Sequence, residues 1–307
     1  MALAAPAPAL AETVDLAAGD LQASFVPSLG MVGTSLRHAG EELLDLQNGL
    51  DAYLATGAVL GIPLLHPWAN RLGDDRYTVA GRTVVLPPRS PFLQREQHGL
   101  PIHGLLAASP HWRVQARAAR RLRASLDFGA HPELLALFPF PHVLALDVRL
   151  SPRALTVSAT LRATGGVPVP VSFGFHPYLR LPGVPREAWE IALPARRQLE
   201  ADARGIPTGA GWRRPAESFA LGGRAFDDGF DGLAPGDAVA LAGGGRTIAV
   251  RLLSGYPVAQ VFSPPGAEFV CLEPMTAATD ALRTHAGLRT VAPGAEFTAA
   301  FAIEVGR

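Results

Sequence analysis

The sequence predicts an all-β fold of stacked, mainly antiparallel sheets, because its hydrophobic pattern has a period of two rather than 3.6. Apolar and polar residues alternate over residues 143–150 and again over 155–162, on either side of a Ser-Pro-Arg turn. This pattern predicts an antiparallel hairpin with one buried face. Residues 297–305 alternate in the same way. The 32 glycines and 28 prolines are dispersed, as many turns between short strands require.

The remaining elements fit the same fold class. A second hairpin is expected from residues 77–79 and 83–86, and a strand from 169–175. Helical patterns are few: one turn over 133–138, and a stretch over 43–54 that is broken at Asn48-Gly49. We therefore expect one domain over residues 11–307, preceded by an Ala/Pro-rich extension over 1–10. That extension has no basic residue and is interrupted by prolines, so a cytoplasmic protein is expected rather than an exported one.

Composition excludes several classes of function. The 27 acidic and 27 basic residues cancel, which disfavours nucleic acid and membranes as partners. All the basic residues are arginines, so a Schiff-base lysine and a P-loop lysine are excluded. The single cysteine, Cys271, excludes an intramolecular disulfide and a multi-cysteine zinc site. No GxGxxG, GxSxG or HExxH motif is present, and we expect neither a cofactor nor a metal in the reaction.

Two titratable residues stand in otherwise apolar segments. His176 follows the strand expected over 169–175, and Pro177 holds it in an extended conformation. It is either a catalytic group or a half-buried histidine bonded to a backbone carbonyl. Glu273 follows four apolar residues, and burial there raises a carboxyl pKa toward the range of a general base. The alternative for Glu273 is a structural ion pair with an arginine.

Three further segments have the composition of a sugar-binding site. Trp68, Asn70 and Arg71 combine an aromatic ring, an amide and a guanidinium, which suit the faces and hydroxyls of a sugar. His103 precedes a glycine that permits close approach of a ligand. Asp227 lies in an Asp-Asp-Gly sequence. Taken singly, the three are also explained by a surface loop, a core histidine and a turn.

Together, the five segments resemble the aldose 1-epimerase (mutarotase) family. In chain order they are GIPLLHPWANRL, LPIHGL, FGFHPYLRLPG, AFDDGF and CLEPMTAATDAL, and the resemblance extends over residues 14–305. It implies a galactose mutarotase-like β-supersandwich. It also implies an isomerase that interconverts the α and β anomers of a free aldose, a small-molecule sugar being its partner. The sequence does not indicate an oligomeric state.

The resemblance assigns the acid–base chemistry to three residues. His176 matches the general acid, Glu273 the general base, and His103 the second histidine that positions and polarises the ring oxygen. The pair works near neutral pH only if His176 is protonated while Glu273 is ionised. We therefore expect the pKa of His176 to be raised by a neighbouring carboxylate.

The resemblance assigns sugar binding to Asn70, Arg71 and Asp227, the last preferred over Asp228 because it directly follows the aromatic residue. Residues 97–101 and Arg180 depart from the galactose-specific pattern, so the resemblance does not imply galactose as the substrate. The alternatives are a hexose-6-phosphate or sulfo-sugar mutarotase, a non-catalytic carbohydrate-binding protein, and a glycosidase that uses two carboxylates.

Overall fold

The computed structural model describes residues 12–306, so the extension expected over 1–10 lies outside the described residues. Three short α-helices are present: α1 (Gly49–Thr56), α2 (Pro132–Leu135) and α3 (Ala281–Thr284). The longest helix in the described part, α1, has eight residues, far fewer than the span of a bilayer requires. It begins at the Asn48-Gly49 break in the expected helical stretch.

Strands form most of the structure. The first fourteen are β1 (Val14–Ala18), β2 (Leu21–Val26), β3 (Val32–His38), β4 (Glu41–Glu42), β5 (Leu64–Leu65), β6 (Arg76–Val79), β7 (Arg82–Val85), β8 (Gln94–Arg95), β9 (Pro101–Ile102), β10 (Arg113–Ala118), β11 (Arg121–Asp127), β12 (His142–Ser151), β13 (Ala154–Ala163) and β14 (Val169–Val171). The others are β15 (Gly174–Phe175), β16 (Tyr178–Leu179), β17 (Glu190–Leu193), β18 (Arg196–Ala201), β19 (Pro207–Arg214), β20 (Glu217–Ala220), β21 (Phe226–Asp231), β22 (Ala238–Gly243), β23 (Arg246–Ser254), β24 (Val258–Ser263), β25 (Val270–Met275), β26 (Arg289–Val291) and β27 (Glu296–Gly306).

Two large antiparallel sheets dominate the architecture. The nine-stranded sheet has the order β10-β11-β12-β13-β27-β23-β22-β17-β20, and the eight-stranded sheet has the order β19-β18-β21-β24-β25-β15-β5, with β16 also paired to β25. A four-stranded sheet, β1-β2-β3-β4, and three two-stranded ribbons complete the fold. The all-β fold class of stacked antiparallel sheets is confirmed.

The main core lies between the two large sheets. Phe175 of β15 and Phe301 of β27 meet there, with their ring centroids 5.0 Å apart. The expected hairpin is β12 and β13, in which Leu146 pairs with Ala159 and both side chains are buried. The alternation read in the sequence therefore places one face of each strand in the core, where burial of apolar surface stabilises the fold.

The strand expected over 169–175 is wrong as one element. The chain instead changes sheets at Ser172: β14 pairs with β26, whereas β15 pairs with β25 and β5. Gly174 permits this second pairing, because a Cβ atom there would stand 2.7 Å from the carbonyl oxygen of Pro274. The switch carries the following residue, His176, onto the eight-stranded sheet.

Candidate active site

The register of the eight-stranded sheet brings His176 and Glu273 together. Gly174 pairs with Met275 and Tyr178 pairs with Cys271, so His176 lies across from Glu273. The two side chains touch, with His176 Nε2 3.2 Å from Glu273 Oε1. Glu273 stands within β25, two residues before the strand ends. Strand alternation turns it away from the main core, whereas its neighbour Leu272 points inward.

The pair is embedded in an apolar layer on the outer face of the sheet. Cys271 and Met275 flank Glu273 on the same strand and belong to this layer. Tyr178 stacks on His176, with the ring centroids 4.6 Å apart and the planes inclined by 17°. His176 and Glu273 are consequently only 5% and 2% exposed. Glu273 Oε2 and His176 Nδ1 are buried without a hydrogen-bond partner in the protein.

Burial shifts the two pKa values in opposite directions. Loss of hydration raises the pKa of Glu273 well above its usual 4.5 and lowers the pKa of His176 to about 3. The charge of Asp227 adds to the first shift, and that of Arg71 to the second. The expectation of a raised His176 pKa is therefore wrong, because contact with a carboxyl group does not outweigh desolvation. Both shifts favour the neutral forms of the two side chains over a carboxylate–imidazolium pair.

His103 stands perpendicular to His176, with the ring centroids 5.2 Å apart. Its backbone has a positive φ of 62°, and its N–H donates to the carbonyl oxygen of Asn70 at 2.9 Å. Gly104 follows with its own positive φ, and a Cβ there would stand 2.2 Å from the carbonyl oxygen of His66. The Pro-Ile-His-Gly segment thus packs directly against the segment that carries Arg71, and the two place their side chains in one site.

Arg71 links two other predicted site residues, Asn70 and Asp227. Its backbone N–H and Nη1 donate to Asn70 Oδ1 at 2.8 and 3.2 Å, so the Asn70 side chain positions the guanidinium. Its Nη2 donates to Asp227 Oδ2 at 3.1 Å. Gln260 donates to the other oxygen of Asp227 at 2.7 Å. Asp228, by contrast, accepts from Gln198.

The six predicted site residues therefore lie in one contiguous group. Of the six, Asp227 lines a cavity of about 310 Å³ together with its partner Gln260, so the cavity reaches the Asp227 side of the group. Trp68 does not fit the expectation of a sugar-stacking aromatic. It is fully buried in the main core, so neither face of its ring is available to a ligand.

Sequence reasoning missed three neighbours of the site. Glu96 Oε2 is buried 3.8 Å from Arg71 Nε, and Glu96 Oε1 accepts from two backbone N–H groups. Glu96 could have been noticed from its position directly before residues 97–101, which depart from the family's pattern. Gln260 could have been noticed as the one amide in an apolar strand. Tyr178 could have been noticed from its position two residues after His176.

A buried His–Glu contact beside a hydrogen-bonding network thus forms a candidate site for a small polar molecule on an all-β scaffold. The chain belongs to the aldose 1-epimerase family, whose model matches residues 13–304. Among curated proteins, YihR of Escherichia coli (strain K12) is 30% identical over 200 residues. These residues are 64% of this chain and 59% of the relative, so the matched part spans about three fifths of that protein.

Solved structures share the fold. A galactose mutarotase-like protein from Clostridium acetobutylicum superposes with a TM-score of 0.83 at 18% identity, over 96% of this chain and 95% of that one. The protein Slr1438 from Synechocystis sp. PCC 6803 superposes with a TM-score of 0.79 at 22% identity, over 100% and 99%. At these identities the likeness shows the fold, and the β-supersandwich expected from the sequence is confirmed.

Proposed function

We propose that the protein is an aldose 1-epimerase that interconverts the α and β anomers of a free, neutral aldose by acid–base ring opening and closure. The observation that carries the proposal is the buried contact of 3.2 Å between His176 Nε2 and Glu273 Oε1. Burying two titratable groups in an apolar layer costs stability. Such pairs are typical of functional sites, where their chemistry outweighs that cost. The family supplies the reaction class, and the site supplies the acid and the base.

Ring opening needs one proton removed from the anomeric hydroxyl and one delivered to the ring oxygen. In the proposed mechanism Glu273 is the base and His176 is the acid, each contributing about 10²–10⁴-fold. In the proposed resting state the pair holds a single proton, and burial favours Glu273 as its site because it raises the pKa of Glu273 and lowers that of His176. Transfer of that proton across the contact to His176 produces the carboxylate and the imidazolium with no change in the number of protons bound.

Reclosure on the opposite face of the aldehyde uses the same groups in reversed roles. His176 takes the proton back from the ring hydroxyl as that oxygen attacks the carbonyl carbon, and Glu273 returns a proton to the anomeric oxygen. Bonds and protons balance, and no electron is gained or lost overall. The proposed reaction therefore needs no cofactor. We place His103 beside the ring oxygen, where its perpendicular contact with His176 orients the acid.

Sugar hydroxyls would bind to the network around Arg71 and Asp227. Asp227 accepts hydrogen bonds, Arg71 donates them, and Gln260 can do both. This arrangement suits neutral hydroxyls better than a phosphate or sulfonate group. Arg71 already faces Asp227 at 3.1 Å and Glu96 at 3.8 Å, so a further anion would meet two carboxyl groups beside the cation.

The glycosidase alternative is disfavoured by the partners of the two carboxyl groups. Glu273 contacts His176, whereas Asp227 is held by Arg71 and Gln260. The binding-protein alternative leaves the buried His–Glu pair unexplained.

The cytoplasmic location expected from the sequence stays a prediction.

Polarimetry of freshly dissolved α-glucose, α-galactose and α-xylose tests the proposal. Purified protein should accelerate the approach to anomeric equilibrium for at least one of the three sugars. α-Glucose 6-phosphate serves as the charged comparison and should react more slowly than α-glucose. The rate in buffer alone and the rate with the Glu273→Gln variant are the two baselines.

The proposal fails if folded protein leaves all three neutral sugars at the buffer rate. A clear preference for the phosphorylated sugar would instead favour the charged-sugar mutarotase. Treatment with a chelator should leave the rate unchanged. A rate that vanishes with chelator and returns with added metal would contradict the proposed roles of the histidines.

A further inference from the structure

A second cluster of histidines lies on the surface, apart from the residues of the proposed reaction. His111 precedes β10, and His131 and Glu133 lie at the start of α2. One donor atom from each of the three residues lies within 4.8 Å of the other two. Glu133 Oε1 stands 3.7 Å from His111 Nε2 and 3.4 Å from His131 Nδ1. The sequence carries no motif for this cluster, because its two histidines are far apart in the chain.

An ordinary surface ion pair does not account for the whole arrangement. In residues 12–306 the ring nitrogens of His111 and His131 make no hydrogen bond to the protein, and Glu133 stands between them at distances longer than good hydrogen bonds. The two imidazole rings are stacked, with centroids 3.7 Å apart. Two imidazolium cations repel each other at that separation, so the carboxylate pairs with one charged ring at most.

The distances suit coordination better than hydrogen bonding. A tetrahedral zinc ion with ligand bonds of about 2.0–2.1 Å has ligand atoms about 3.3–3.4 Å apart. The two Glu133 distances, 3.4 and 3.7 Å, are close to that edge length. Two imidazoles and one carboxylate are ligands that Zn²⁺ accepts, whereas Mg²⁺ and Ca²⁺ prefer oxygen ligands alone.

We propose that His111, His131 and Glu133 bind one zinc-class divalent metal ion, with water as the fourth ligand. The rings are inclined by only 28°, so both must turn until their nitrogen lone pairs point to a common centre. Their side chains are 28% and 22% exposed, and no ring hydrogen bond to the protein has to break. Bound metal would cross-link the segment before β10 to the first turn of α2.

Calorimetric titration of tag-free, chelator-stripped protein with Zn²⁺ tests this proposal. One equivalent should bind, and the thermal midpoint should rise by several degrees at saturation. Replacing Zn²⁺ with Co²⁺ should give the visible absorption of a tetrahedral site. Mg²⁺ should neither bind with comparable affinity nor compete.

Three variants locate the ion. His131→Ala and Glu133→Gln should each weaken Zn²⁺ binding by about tenfold or more, since each removes a direct ligand. His98→Ala removes an exposed imidazole elsewhere and should leave the affinity unchanged. Thermal midpoints without metal establish that each variant is folded. A missing saturable isotherm, or equal affinity in wild type and His131→Ala, would overturn the proposal.

Discussion

Two buried pairs of polar side chains occupy different regions of this molecule and have different consequences. In the core, His66 Nε2 lies 2.8 Å from His142 Nε2. In the site, His176 Nε2 lies 3.2 Å from Glu273 Oε1. All four side chains are at most 5% exposed. Burial alone therefore does not distinguish a structural pair from a catalytic one.

The difference lies in how the protons are fixed. His142 Nδ1 is 2.6 Å from the carbonyl oxygen of Phe140, so it must carry the proton and donate. His142 Nε2 is then an acceptor, and His66 Nε2 must be its donor. Phe128 stacks on His142 at 4.5 Å and closes the core around the pair. In the site, Glu273 Oε2 and His176 Nδ1 have no hydrogen-bond partner in the protein, so no hydrogen bond to a third group fixes the position of the proton.

The largest expected effect comes from removing Glu273, the proposed base of the site pair. Glu273→Gln keeps the shape of the side chain but abolishes its basicity, so kcat should fall by about 10²–10⁴-fold. Burial raises the pKa of Glu273 above its value in the unfolded chain, so above pH 4.5 this group binds more protons in the folded state than in the unfolded state. That linkage costs stability above pH 4.5, so the variant should be at least as stable as wild type at pH 7.

Polarimetry and thermal unfolding of the same Glu273→Gln preparation check both parts. Sugar binding, followed by isothermal titration, should survive. An active variant would rule out Glu273 as the base. A variant that loses activity together with stability would show that the site pair is structural, like the core pair.

His142→Leu tests the core pair and should have the opposite effect. The substitution leaves the His66 N–H buried without an acceptor, which costs about 1–3 kcal/mol in the free energy of unfolding. The kcat of the folded variant should stay within about threefold of wild type, since neither histidine contacts the proposed sugar. Chemical denaturation and polarimetry measure the two quantities. Unchanged stability would contradict the hydrogen-bond assignment.

Arg71→Ala sharpens the comparison inside the site. It removes one donor from the network at Asp227 but leaves the His–Glu pair in place. KM should rise about tenfold with little change in kcat if the contact binds ground state and transition state equally. Arg197→Ala breaks a similar ion pair, to Asp231 at 2.7 Å, and is the matched control. Equal effects of the two variants would remove Arg71 from the binding network.

The smallest expected effect is a change in the pH dependence of stability. Burial lowers the pKa of His142 to about 4 and that of His66 well below 6.5. Between pH 6.5 and 4 the unfolded state therefore binds more protons, and the free energy of unfolding falls as the pH falls. His142→Leu removes one such group, so its slope between pH 6 and 5 should be shallower by about 1 kcal/mol per pH unit. Parallel slopes would contradict the shifted pKa.

Sequence patterns predicted those strands well that have one buried face and one solvent-exposed face. The β12–β13 hairpin follows directly from its alternation. Of the helical stretch expected over 43–54, only the part after the Asn-Gly break is helical, as α1. The break in residues 169–175 was not predictable, because all of these residues are buried and alternation disappears when both faces are covered.

The sequence predicted which residues form the candidate site, but not which of them contact one another. Resemblance named His176 and Glu273, but only the pairing of β15 and β16 with β25 makes them neighbours. The direction of the His176 pKa was missed because desolvation depends on the surrounding apolar layer, which comes from distant segments. Trp68 was misread for the same reason: nothing local shows that its ring points into the core.

Cys271 lies in the apolar layer beside Glu273, on the same strand and the same face. It is fully buried, and it is the only cysteine in the chain. A thiol reagent can reach it only when this wall of the site opens, so the labelling rate of the native protein measures the frequency of that local opening. If the proposed sugar binds against this layer and keeps it closed, the sugar should slow the labelling of Cys271.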